Sequence, residues 1–366
     1  MSAAVVNSSA ILRRYVLGEC ARIFGLCMLA FLMIYVLVDF FDNLDSFLRH
    51  GASASAVARH LLFKIPLIIT QLVPVATLAA VLLGLGIMAH HSEITALRAS
   101  GVSTLQIGWP LLLTAAILGL TILFWNEIVV PYCASRSRQI EYVEIKKQPM
   151  RALLSEHGIW FHGSAGIYNI EHFDSRQERL VGLTVYDFSP TFELKRLVEI
   201  PSAQWRGDRW EFHLATERSF DDLGNVDIAA LGHEDFVLPD RPQDFRVLDT
   251  DAEELNFLRL RHRINEMSRK GIDTTELRVD LHLKLALPFL PFVMTLIAIP
   301  LASRNPRQRP LVASAGMGLM VGFSYWVLLA LCLSLGHGGA IPPAIAGWAA
   351  NGVFTLLGAF LLLGPE

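Results

Sequence analysis

Few residues in this chain are placed to do chemistry. His157 and His162 lie close together, and His233-Glu234-Asp235 puts three ligand types in one run. Neither set has the spacing of HExxH or another strong zinc pattern, in which one backbone element turns its ligands onto one ion. Both read as exposed polar residues of strands. No Ser/His/Asp or Cys/His constellation stands out, no GxxxxGK[ST] phosphate loop is present, and no GxGxxG follows a strand. The expectation is a chain with no catalytic residues, no metal and no bound cofactor of its own, unable to hydrolyse ATP. Cys20, Cys27, Cys133 and Cys332 form no CxxC pair, and three lie in or beside apolar runs, so they read as packing residues.

The phrase Ser92-Glu93-Ile94-Thr95-Ala96-Leu97-Arg98-Ala99-Ser100-Gly101 is more informative. Ser92 can N-cap a short helix, Glu93 sits in its positive first turn, and Gly101 ends it. Ile94, Leu97 and Arg98 would share a face. What this helix does depends on what flanks it.

The flanks are set by the charge distribution. Residues 130–280 hold 47 of the 65 Asp, Glu, Lys and Arg, against 13 before them and 5 after. The chain reads as membrane half one (1–129), a soluble insert (130–280) and membrane half two (281–366). Six segments approach the ~20 apolar residues that a helix needs to cross a bilayer: 23–40, 65–89, 105–126, 285–302, 311–335 and 341–363. Prolines inside them are tolerated, because neighbouring helices satisfy the freed carbonyls. The run from Ile23 to Phe40 is too long for the core of a cleavable signal peptide. The phrase at 92–101 then falls in the loop 90–104, between spans two and three. An amphipathic helix there suits docking in the cleft of a separate ATPase, or lying flat on lipid headgroups.

Direction follows from Lys and Arg in short loops. With the N-terminus inside, the inner segments carry Arg13, Arg14, Arg22, Arg98, Arg304, Arg307 and Arg309, and the outer ones Arg49, Arg59 and Lys64. Seven against three puts both termini in the cytoplasm and the insert outside it, in the periplasm of a Gram-negative cell. Within the insert, His157–His162, Gly166–Ile170, Leu183–Phe188, Trp210–Leu214 and Asp235–Leu238 are short, aromatic and β-branched runs between turns. They predict an antiparallel all-β unit of sandwich or jellyroll type. Helical pattern flanks it at 132–147 and at 252–270, the latter ending at Gly271.

Several phrases carry a family resemblance. Leu83-Gly84-Leu85-Gly86 leads into Ser92-Glu93 and Leu97-Arg98-Ala99-Ser100-Gly101. Ala203-Gln204-Trp205 and Trp210 follow in the insert. Then come Gly271-Ile272-Asp273, Leu277-Arg278-Val279-Asp280-Leu281-His282-Leu283-Lys284 and Leu287-Pro288. In this order they resemble the LptF/LptG permease family of the lipopolysaccharide exporter over nearly the whole chain. The tail Gly336-His337-Gly338-Gly339, Ile341-Pro342-Pro343 and Trp348 is more similar to the LptG branch than to the LptF branch.

The resemblance implies a non-catalytic permease subunit of an ABC-type exporter. Its partners would be the paralogous permease (LptF if this chain is LptG), a dimer of the ATPase LptB that binds ATP and Mg, the bridge protein LptC, and lipopolysaccharide. It makes the 90–104 loop the coupling helix and gives Glu93 the family's acidic residue facing the ATPase. Lipid A phosphates would need cations near the outer rim; Arg49, Arg59, Lys64, Arg136 and Lys284 are candidates, with Arg138 close by, and simple snorkelling is the alternative for each. Where other members carry a basic residue in the outer part of span one, this chain reads Tyr35-Val36-Leu37-Val38-Asp39. Ser314, Gly318 and Gly322, at four-residue steps in span five, could form a seam with the partner permease or pack an internal helix pair. Two other classes compete with transport. One is a membrane-anchored periplasmic scaffold, which six spans exceed. The other is an intramembrane enzyme, which needs polar side chains at mid-span where only Asp39 and Glu127, near span ends, carry charge.

Overall fold

The structure is a computed structural model. It describes residues 2–146, 152–155, 158–163, 166–174, 178–189, 194–212, 214–220, 226–232, 238–242, 255–269, 273–303 and 311–363; the side chains of 2–11, 152–159, 161–163, 172, 174 and 311–315 are not among those described. The chain divides into two compact units, a helical one of residues 1–140 with 252–366 and a second of residues 141–251.

The helical unit opens with α1 (Ser2–Arg49) and α2 (Ala54–His90), the short α3 (Glu93–Ala99) and α4 (Thr104–Gln139), which runs on as a π-turn to Ile145. After the inserted unit come α5 (Phe257–Arg269), α6 (Thr275–Ala286), a 3-10 turn (Leu287–Phe289), α7 (Leu290–Ser303), α8 (Leu311–His337) and α9 (Pro343–Leu363). Among the described residues, six segments are long and apolar enough to cross a bilayer: Leu12–Arg49, Ala54–His90, Thr104–Ile145, Thr275–Ser303, Gly316–His337 and Pro343–Leu363. The sequence expectation of 23–40 for the first span is the apolar middle of a much longer helix, because the polar ends of α1 keep helical pattern without raising hydropathy.

α2 and α7 form the centre. Leu78, Val81, Leu82 and Leu85 of α2 meet Val293, Ile297 and Ala298 of α7 in one apolar cluster that also takes in Ile107 of α4 and Phe354 of α9. Close approach is built with glycine: a methyl added at Gly119 of α4 would stand 2.3 Å from the Pro288 carbonyl oxygen. The fourth span tightens into a 3-10 turn at that level. Leu290 N–H bonds to Leu287 O there instead of reaching the Ala286 carbonyl one residue further back. Asn351 of α9 adds a side-chain donor at this turn, from Nδ2 to Ala286 O at 2.7 Å, while its Oδ1 accepts from the Tyr325 hydroxyl of α8 at 2.9 Å. Both side chains are buried. One polar chain thus ties three helices.

α5 is held at both sides. The Glu127 carboxylate of α4 accepts from the Phe257 and Leu258 amides at 2.8 and 3.4 Å, and Asn256 Oδ1 accepts from Arg259 N–H at 2.8 Å. A carboxylate there meets the positive end of the helix dipole. Leu260, Ile264 and Met267 are buried along the inward face. Before α6, the Thr275 hydroxyl and amide bond Asp273 and hold its carboxyl below the usual carboxylate range.

The second unit is antiparallel β. Its strands are β1 (Ala152–Ser155), β2 (Gly158–Gly163), β3 (Gly166–Asp174), β4 (Arg179–Phe188), β5 (Leu194–Trp205), β6 (Trp210–Phe212), β7 (Ala215–Phe220) and β8 (Val226–Leu231). They make one sheet in the order β1-β2-β3-β4-β5-β7-β8, with β6 on the end of β5. Register places Tyr168 opposite Val185 opposite Val198, and Ile170 opposite Leu183 opposite Ile200, so one face is a continuous apolar surface. Buried Asp240 fastens the following segment: it accepts from the Tyr168 hydroxyl at 2.6 Å, and its carbonyl accepts from Trp210 Nε1 at 2.7 Å.

The boundaries differ from the expected 130–280. The π-turn carries α4 to Ile145, and α5 and α6 pack with the helices, so this unit spans 141–251. The expected run Asp235–Leu238 is described only at Leu238, which is not in a strand, and His157 and the His233-Glu234-Asp235 run lie outside the described residues.

Replacing Asn351 by Leu removes the side-chain donor from the Ala286 carbonyl and leaves the Tyr325 hydroxyl without its acceptor. The expected cost is about 1–2 kcal/mol, in the range for buried polar groups left unpaired and for interhelical bonds in membranes. It should appear as a lower melting midpoint of the purified protein in detergent; an unchanged midpoint would show that these atoms find other partners.

Candidate functional site

α3 is a short helix fixed at both ends by backbone geometry. At its C-terminus Gly101, with φ +88°, donates to Arg98 O, and Val102 N–H donates to Leu97 O. This is the paired closure that a left-handed residue permits, with an apolar contact between the residues it brings together. Ser103 then starts α4 with a capping box, reciprocated by Gln106. At the N-terminus the structure corrects the sequence expectation. Ser92 occupies the cap position but its side chain makes no capping bond. Its φ of +61° is left-handed, because its own N–H is drawn back to Ala89 O in closing α2.

Ile94, Leu97 and Arg98 share the less exposed face of α3, as their spacing predicts. Ile94 is 1% exposed and, with Leu97 and Val102, joins the apolar cluster of the spanning helices. The exposed positions are Ser92, Thr95, Ala96, Ala99 and Ser100, with Glu93 and Arg98 half-buried. Ile94 and Leu97 therefore anchor the helix, and small side chains and two charges make its outward surface. Glu93 is held from α1: the Tyr15 hydroxyl lies 3.0 Å from Oε2 and 3.2 Å from Oε1. Sequence spacing gave no sign of this contact, since its partners are far apart in the chain.

The candidate phosphate-binding cations have partners of their own. Arg49 pairs with Asp45 one turn back at 2.5 Å, both largely exposed. Arg59 donates to the Ser55 carbonyl at 3.3 Å. Arg136 donates to Gln139 and lies over the Tyr132 ring. Arg138 and Lys284 are half-buried and also engaged. Lys64 is different in kind: its Nζ lies 2.5 Å from Asp39 Oδ1 on α1, with side chains 29% and 12% exposed. The acidic residue at the outer part of span one, where a basic one was expected by resemblance, is thus matched by a lysine on α2. Asp39 Oδ2 is buried and takes no hydrogen bond among the described residues.

Gly318 and Gly322 pack inside the chain. A methyl at Gly318 would stand 2.6 Å from Leu82 of α2, and one at Gly322 3.8 Å from Leu78. Of the two readings that the spacing left open, these contacts favour the internal helix pair, with the glycines letting α8 approach α2. The side chain of Ser314 lies outside the described ones.

Two further groups were not legible beforehand. His337, at the end of α8, lies 3.0 Å from Asp280 and 4.0 Å from Glu276 on α6. His60 of α2, 5% exposed, contacts the hydroxyl and carbonyl of Ser137 on α4 at 3.0 and 3.1 Å. Both are helix-to-helix ties. Among the described residues no group of three or more His, Cys, Asp or Glu is placed to hold a metal.

Spanning helices around a shared apolar core, an inserted antiparallel β unit and a short anchored helix between two spans define a multi-pass membrane protein of the permease class. The family model for the lipopolysaccharide export system permease LptF/LptG matches residues 14–364, and the chain belongs to that family. It is similar to the lipopolysaccharide export system permease protein LptG of Escherichia coli K12, and to that of E. coli O6:H1 strain CFT073. Each is 23% identical over 360 residues, covering 96% of this chain and 98% of the relative. The chain is accordingly a multi-pass inner-membrane protein with a permease role in lipopolysaccharide transport.

Lys64→Met leaves a half-enclosed Asp39 without its cation. The expected loss is a few kcal/mol, reduced by the partial exposure of the pair, and larger than that of the double change Lys64→Met with Asp39→Leu. Thermal melting of the three proteins in detergent checks the order; a double variant less stable than the single would refute the pairing argument.

Proposed function

We propose that this chain is the LptG-type permease of the exporter, paired with the paralogous LptF, and that the pair takes lipopolysaccharide from the outer leaflet of the inner membrane. A separate ATPase, two copies of LptB with bound ATP and Mg, drives the cycle, and the β unit hands the lipid toward LptC. Both termini and α3 lie in the cytoplasm and the β unit lies in the periplasm. The observation that carries the reading is α3. It is a short helix between two spans, seated on the spanning core through Ile94 and Leu97, with Glu93 at its edge. A helix so seated transmits force from a partner to the spans, whereas one lying loosely on headgroups would turn its apolar side to lipid. The Arg distribution supports the orientation.

Orientation is open to a direct check. In a protein lacking the four native cysteines, Asp208→Cys should react with an impermeant thiol reagent on cells with a permeabilised outer membrane, and Thr95→Cys should react only after lysis. The opposite pattern would invert the topology.

Docking is tested by charge reversal. Glu93→Lys replaces a charge-assisted contact of roughly 1.5–3 kcal/mol with repulsion. The ATPase should no longer co-purify in mild detergent, or should do so without supporting export. Normal export with the ATPase still bound would remove α3 from the coupling role.

A further inference from the structure

α1 is the span that its own chain covers least. Leu26, Met33, Phe41 and Leu48 are each more than half exposed. Its inner end is embedded, with Val16 and Cys20 1% and 5% exposed and sharing the apolar cluster with Ile94, and Phe47 is buried near its other end. At the inner end the Tyr15 hydroxyl reaches the Glu93 carboxylate at 3.0 Å. We propose that Tyr15 is a positioning residue that links the first spanning helix to the docking state of α3 through Glu93. The proposal rests on the reading of α3 as the element that meets the ATPase.

Three observations support it. A carboxylate offers about four lone-pair sites and a tyrosine hydroxyl donates one proton, so half-buried Glu93 can hold Tyr15 and still face a cation on a partner. A partner that shifts the carboxylate changes the length of the Tyr15 bond, so the two contacts are coupled through one side chain. Next, Ser92 just before Glu93 keeps a left-handed backbone that a non-glycine residue adopts at a cost. Strain of this kind persists only where the surroundings impose it, and here it fixes where Glu93 leaves the α2–α3 junction. Last, α1 runs unbroken from Ser2 to Arg49 with no proline. A shift at Tyr15 therefore carries along the helix to its exposed stretch rather than dissipating at a kink.

The test uses the full complex, both permeases with the ATPase, in nanodiscs containing lipopolysaccharide. Three quantities are read: ATPase subunit retained, complex melting midpoint, and lipopolysaccharide released per ATP hydrolysed. Tyr15→Phe removes only the hydroxyl. It should keep the ATPase subunit and the midpoint while lowering lipopolysaccharide released per ATP roughly fivefold, equivalent to about 1 kcal/mol at 1.36 kcal/mol per tenfold. Glu93→Gln should lower the same ratio, and the double variant should be no worse than the poorer single, because both remove one interaction. A wild-type ratio for Tyr15→Phe, or losses that multiply in the double variant, overturns the proposal. A lowered midpoint with an unchanged ratio also overturns it, since that marks a merely structural bond. The underlying reading fails separately, if Glu93→Lys keeps the ATPase bound and export normal.

Discussion

The interaction on which the helical unit depends is the bond from Asn351 to the Ala286 carbonyl. In hydrocarbon a poorly satisfied main-chain carbonyl is costly, so where a spanning helix shifts its hydrogen-bond pattern an added donor counts for more than it would in water. Here the fourth span shifts to a 3-10 turn, and a side chain two helices later in the sequence adds that donor. The bond fixes more than one atom. It sets the height of α9 against the 3-10 turn, places Tyr325 of α8 as the second partner, and leaves the turn at Pro288 free to receive Gly119 of α4. Four helices are thus registered to one turn.

Opposite this interior stands α1, held by polar contacts at well-separated levels. Tyr15 meets Glu93 near one end, and Asp39 meets Lys64 nearer the other. Between them its outward side is apolar and uncovered. Polar bonds surrounded by lipid are directional, whereas packing between aliphatic side chains and lipid tails hardly distinguishes one neighbour from another. The position of α1 is consequently specified by a few side chains, and the rest of its surface remains available to lipid or to another subunit.

Much of this was legible in the chain. Hydropathy located six spans because each needs a long uninterrupted apolar stretch, and Gly101 marked the end of α3 because a left-handed closure requires little else. The β unit was visible where Trp, Tyr, Ile and Val alternate, but β1, β5, β7 and β8 were missed. β5 contains Pro201, tolerated because it falls between the stretches that pair with β7 and with β6. β7 and β8 carry small and charged residues, and every β8 residue but the last is exposed. At the candidate site, type and position were readable but direction was not. Ile94 and Leu97 had the right periodicity for an apolar face, and only the packing of α3 on α2 shows that this face points inward. Gly318 and Gly322 signalled close approach without saying to which helix. The Tyr15–Glu93, Lys64–Asp39 and Glu127–Phe257 contacts join residues with no local pattern in common.

The length of α1 has a consequence for how the protein is made. At 48 residues, and ~1.5 Å of rise for each, the helix is about 72 Å long, more than twice the ~30 Å of hydrocarbon it crosses. It also leaves the ribosome before the helices that carry Lys64 and Glu93. α1 therefore enters the bilayer without its polar partners and is solvated by lipid on that side until α2 and α3 arrive. Its uncovered apolar side is what allows that: the surface that later stays open is the one that lets the nascent chain dwell in the membrane without a companion.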